Sequence, residues 1–245
     1  MELSDPKENL VFDYHTIRGL IGLITMLLPL LVSILASKIV DSISWSYYTN
    51  ARDSFVGSLF VIGAFLISYK GHKPILHQSD LGEFWRWLNK FWKGAINFRI
   101  WERKNEEDLV SSMGGVAAWI TAICPTAYCI EKDCPDDLIS SIHYIGAIIL
   151  FSTTVYYCLV AFRSQVNSKI GNGPKKRKII YLICGWGITA IMLGLIIVKS
   201  AHFPTIGNIT FWTETVALEL FGFAWLIASQ YLPYFTDEKE RQKLF

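Results

Sequence analysis

Few residues in this chain are equipped for chemistry, and they sit in a costly setting. Arg52, Asp53, His143, Glu214 and Glu219 all lie in or beside long apolar runs. Ionisable groups inside or at the rim of a membrane are expensive, so each is a candidate for function. Arg52 is suited to an anionic headgroup, or to pairing with Asp53, Glu214 or Glu219. His143 can carry a proton, ligate a metal, or act as a hydrogen-bonded structural residue. With a carboxylate orienting it, His143 would be a general base, which makes His143, Asp53 and Glu214 the candidate catalytic set. The plainer alternative is a network of Arg and carboxylates that only fixes helix register. No motif goes further. The chain has no HxxxH or HExxH, no GxSxG elbow, no phosphate loop and no dinucleotide fingerprint, so neither a metal nor a cofactor is expected.

The five cysteines divide by position. Cys158 and Cys184 fall within apolar runs and read as packing residues. Cys124, Cys129 and Cys134 cluster after one such run, without a CxxC pair or a nearby His, which disfavours zinc. In an oxidising compartment Cys129 and Cys134 could close a small loop; free thiols are the alternative. Asn208-Ile209-Thr210 matches a glycosylation acceptor, and its place beside an apolar run makes it a chance match.

The elements that must position these residues follow from composition. Of 245 residues 52% are hydrophobic, 14% aromatic and only 18% charged, with a mean hydropathy of +0.33. This excludes a soluble globular enzyme, a disordered chain and a disulfide-rich secreted module. A net charge of +2 gives no reason to expect nucleic acid. Six apolar segments approach the length of a transmembrane helix, at about 18–38, 54–70, 110–129, 140–162, 179–199 and 211–231. The expected fold is an all-α bundle of six membrane spans. Acidic residues (Glu2, Asp5, Glu8, Asp13) precede the first span, so it reads as a retained helix and not a secretory signal.

Lys and Arg set the orientation. The termini and the second and fourth loops hold 19 of them, and the other three loops hold 4. The basic side should be cytoplasmic, with both termini inside, in a bacterial inner membrane. Arg52 and Asp53 then open the second span from outside, and His143 and Glu214 each lie about one turn into theirs. Glu219 is roughly 12 Å deep at 1.5 Å per residue. The expectation is one polar site in the outer leaflet, with no comparable set in the inner halves of the spans.

One soluble stretch stands out. From Ser79-Asp80 onward, Leu81, Phe84, Trp85, Leu88, Phe91, Trp92, Ala95 and Ile96 share one helical face, opposite Glu83, Arg86, Asn89, Lys90 and Lys93. This predicts a cytoplasmic amphipathic helix over about 80–98 that lies on the membrane surface; packing on the spans or on a partner is the alternative.

The stretch Tyr47-Tyr48-Thr49-Asn50-Ala51-Arg52-Asp53-Ser54-Phe55-Val56-Gly57 resembles a motif of uncharacterised bacterial six-span membrane proteins. So do Cys124-Pro125-Thr126, Ile142-His143-Tyr144, Arg177 to Gly185, and Phe211-Trp212-Thr213-Glu214 with Phe221-Gly222 and Trp225-Leu226. More distantly the plan is similar to the FRAG/DRAM/Sfk-like six-span group linked to lipid handling. The resemblance places Arg52, Asp53, His143 and Glu214 on motif positions, whereas Glu219 departs from it. The leading expectation is a protein that binds a lipid or small amphiphile at the outer-leaflet site through Arg52, Asp53, His143, Glu214 and Glu219. The alternatives are a lipid-modifying hydrolase and an accessory subunit of a larger membrane complex, as a homo- or hetero-oligomer.

Overall fold

A computed structural model describes residues 14–69, 106–127, 137–167, 169–201 and 207–238. The amphipathic segment at 80–98 and the pair Cys129 and Cys134 lie outside the described residues. Every long element is helical: α1 (Tyr14–Leu35), α2 (Arg52–Ser68), α3 (Glu106–Ile123), α4 (Leu138–Asn167), α5 (Asn172–Ser200) and α6 (Ile209–Ala228). No strand occurs among the described residues. Four of the helices, α1, α4, α5 and α6, are long and apolar enough to cross a membrane. Four helices of this length and composition point to a membrane protein, since a helix bonds its backbone groups within the segment as lipid requires. α2 and α3 are shorter, at 17 and 18 residues, or roughly 26 Å at 1.5 Å per residue.

Several boundaries differ from those expected, each for a local reason. α3 stops at Ile123, well before 129, because the residue before Pro125 is disfavoured in the helical region. α5 begins at Asn172, seven residues before the expected start. The segment Gly171-Asn172-Gly173-Pro174 is therefore a helix start. Gly171 takes φ 154°, and Pro174 sits in the first turn, where its missing N–H costs nothing. The basic run Lys175–Lys178 is carried on α5 itself. α4 runs on to Asn167 and contains a π-helical turn at Tyr157–Ala161, which inserts an extra residue into the helical repeat.

The six helices form a closed ring. Each packs on its neighbours in sequence, and α1 packs on α6 to complete the circuit. Glycines permit the two closest crossings. A Cβ on Gly63 would lie 2.8 Å from the Gly115 carbonyl oxygen, joining α2 to α3, and one on Gly222 would lie 2.7 Å from that of Gly22, joining α6 to α1. Gly222→Val should therefore strain the ring at its closure. A loss of about 1–3 kcal/mol is expected, measurable as a lower unfolding midpoint in detergent.

Which face of each helix points inward is plain on α1. Ile17, Arg18, Ile21, Thr25, Leu28 and Val32 are buried, whereas Leu20, Leu23, Leu27, Leu30 and Ile34 are exposed. The outward faces of the other helices are equally apolar: Phe60 and Val61 on α2, Met113 and Val116 on α3, Ile145 and Ile148 on α4, Ile183 and Ile197 on α5. An apolar exterior around a partly polar interior is the arrangement lipid demands.

Candidate functional site

At one end of the ring the loop after α1 docks on the start of α6. Phe211 N–H donates to the Asp41 carbonyl at 3.1 Å, and the Asn208 amide donates to the Ile39 carbonyl at 3.2 Å. The Ile43 N–H donates to Glu214 Oε2 at 2.7 Å. A 3-10 turn at Ser44–Tyr48 then leads into α2. Tyr48 ties this turn to the end of α3 by donating to the Thr126 carbonyl at 2.5 Å. The Asp137 carboxylate caps α4 at the same end by accepting the Ser140 N–H at 2.6 Å. This bond holds the Asp137 carboxyl below the usual carboxylate range.

Of the five residues singled out from sequence, Arg52, Asp53, His143 and Glu214 share this end but do not converge, and Glu219 lies midway along α6. Arg52 is exposed; its guanidinium lies over the Tyr47 ring, 4.2 Å from the centroid, and donates to Tyr47 Oη at 2.6 Å. Asp53 is exposed in the first turn of α2, where a carboxylate meets the positive end of the helix dipole. His143 is buried, and its Nδ1–H donates to the Cys124 carbonyl at 2.6 Å. It thus clamps the start of α4 to the end of α3, the structural role among those open to it. Glu219 is half-buried on α6 and stands outside the lining of the Glu214 cavity. No ion pair or hydrogen bond joins Arg52 or His143 to Asp53, Glu214 or Glu219 among the described residues. The His–carboxylate contact that a hydrolase centre requires is therefore missing from them.

Glu214 alone is placed for binding. It lines a cavity of about 60 Å³ that runs inward from this end between α1, α2, α3, α4 and α6. Leu28, Leu59, Leu150, Phe151, Leu218 and Phe221 supply apolar wall. Thr25, Ser44, Thr121 and Thr154 add hydroxyls. Three of these hydroxyls already donate within their own helices: Thr25 to Ile21 at 2.7 Å, Thr121 to Ala117 at 2.8 Å and Thr154 to Phe151 at 2.7 Å.

Below the cavity the ring is plugged. Phe221 of the cavity wall meets Trp225, with ring centroids 5.7 Å apart. Trp225 is fully buried and also packs against Tyr69 at 5.8 Å, Tyr157 at 5.0 Å and Phe162 at 5.2 Å. Beneath these rings lies Arg18, only 4% exposed. Its guanidinium donates to Tyr69 Oη at 2.6 Å, to Gln165 Oε1 at 2.9 Å and to the Ala228 carbonyl at 3.2 Å. Arg177, 1% exposed, donates to the Phe235 carbonyl at 3.0 Å, and Glu107 is buried on α3. This end therefore does hold a set of ionisable groups, contrary to the sequence expectation. Arg18 and Arg177 were counted there with the loops. The signal that would have found Arg18 is its place on the buried face of α1, in line with Ile21, Thr25 and Leu28.

Among the described residues no three His, Cys, Asp or Glu side chains gather as a metal site would need. Cys124, Cys158 and Cys184 are free thiols. Among the described residues the ring holds an apolar cavity lined by Glu214 and hydroxyls, closed at its base by aromatic rings and an arginine. Comparison with protein families, with curated proteins and with solved structures returns no match.

Proposed function

We propose that the chain is a six-span protein of the bacterial inner membrane that binds a lipid or small amphiphile from the outer leaflet. In this reading α2 and α3 are the two further spans. Their support is that both are members of the ring and carry outward apolar faces. The Arg18 end faces the cytoplasm, with both termini. It gathers Arg18, Arg163 and Lys175–Lys178, while the Glu214 end has only Lys38, Arg52 and Lys199 among the described residues.

The observation that carries the reading is the cavity itself. Apolar walls with a few placed polar groups are what small-molecule sites have in common. The hydrocarbon part of the ligand lies among Leu28, Leu59, Leu150 and Phe221, and its polar end lies at Glu214. Membrane lipid is the partner this requires, and Arg52 is displaced from the headgroup role.

Ala147 also lines the cavity, so Ala147→Phe would place a ring in the ligand's space. The full chain is purified in mild detergent, and co-purifying lipid is quantified by mass spectrometry. Ala147→Phe should remove most of the bound amphiphile, and Arg52→Ala should leave it unchanged. Equal lipid content in wild type and Ala147→Phe would sink the proposal.

A further inference from the structure

We infer that the ligand's polar end is a protonated amine. The inference rests on the cavity being the binding site and adds the chemistry of what enters it. Glu214 is the one charged residue in the lining. Its Oε2 takes the Ile43 N–H, and its Oε1 has no hydrogen-bond partner among the described residues. No cation lines the cavity, and the one whose charge reaches Glu214 is Lys199, at the end of α5 and outside the lining. Arg52 is turned onto Tyr47, and His143 is held by Cys124.

The hydroxyls sharpen the argument. A hydroxyl has one proton to give. Thr25, Thr121 and Thr154 have each given theirs to a carbonyl of their own helix. They present only lone pairs to the cavity. The walls therefore offer mainly acceptors, Glu214 among them, with the Ser44 hydroxyl the one lining hydroxyl that has not given its proton to a carbonyl of its own helix, so a ligand rich in donors fits best. An ammonium group has three donors and a positive charge. A carboxylate or phosphate has neither, and would face Glu214 at close range in an apolar surround. Apolar walls in turn suit a hydrocarbon substituent and not a bare hydrated ion.

Size limits the group that fits. A water needs roughly 10–15 Å³ of such volume, so 60 Å³ corresponds to about four to six non-hydrogen atoms. A short alkyl amine, or the amine-bearing end of a longer amphiphile, matches that space.

The test uses the full chain in nanodiscs of zwitterionic lipid and three probes of equal length: n-butylamine, 1-butanol and butyrate. Binding is followed by titration calorimetry at neutral pH. Wild type should bind n-butylamine about tenfold more tightly than 1-butanol, with butyrate weakest. Glu214→Gln keeps the shape and can still accept the Ile43 N–H. It should lose the tenfold preference for the amine while holding 1-butanol within about twofold. Should the variant not fold, the wild-type order decides alone. Butyrate binding as tightly as n-butylamine would overturn the assignment of charge while leaving the cavity as a site. Failure of all three probes to bind would overturn the site as well.

Discussion

Replacing Trp225 by Ala should destabilise the bundle by about 3–5 kcal/mol. No other side chain contacts so many of the plug's rings: Tyr69, Tyr157, Phe162 and Phe221 all pack on it. They come from α4, α6 and the residue that follows α2, so truncation leaves a void where three helices meet. In a membrane the loss is one of dispersion contacts and not of burial from water, since lipid tails are as apolar as the core. The void would be continuous with the floor of the cavity, so the neighbouring rings can close it only by moving the ring of helices. Denaturant titration in mixed micelles measures the effect, and a loss below about 1 kcal/mol, the level of a surface change, would show that the plug is not a tight core. Trp225→Phe keeps an aromatic ring and should recover most of the stability, which separates packing from any need for the indole N–H.

The second large effect is expected at Arg18. Its guanidinium reaches α2 through Tyr69, α4 through Gln165 and α6 through the Ala228 carbonyl. Arg18→Ala removes these bonds and leaves their acceptors in a buried setting, at a cost of about 3 kcal/mol. Lys would not rescue it, because a single ammonium lacks the planar fork that spans three acceptors. Arg52 gives the contrast. It is exposed, and its contact with Tyr47 is worth under about 1 kcal/mol. Arg52→Ala and Arg18→Ala should thus differ by at least twofold in stability loss by the same titration. Equal losses would mean that Arg18 is not the bond between these helices.

These two arginines also show how far the sequence could be read. The α-helical class and the positions of the apolar helices were legible, because a run of roughly 20 apolar residues has one physical outcome in lipid. What a linear reading could not supply was depth. Arg18 and Arg177 sit at the ends of apolar runs, where they count as loop charges, yet the helices α1 and α5 start earlier and carry them into the interior. Arg52 is the reverse case: it opens α2 but points away from the bundle. The turn of π-helix in α4 was equally hidden, since it shifts the helical faces past Tyr157 without leaving a mark in composition. Glu214 lines the cavity, whereas Arg52, Asp53, His143 and Glu219 do not, because proximity in depth says nothing of direction around a helix.

The closure of the ring by its first and last helices has a consequence for biosynthesis. Arg18 reaches its partner carbonyl on Ala228 across 210 residues. At about 5–20 residues per second of translation, α1 waits on the order of 10–40 s before α6 leaves the ribosome. Tyr69 and Gln165 are made earlier and can take two of its bonds, but until α6 arrives the set of acceptors around the guanidinium is incomplete, and the side chain can stretch toward the aqueous boundary as long basic side chains do. The nascent bundle is an open arc whose seam is sealed last.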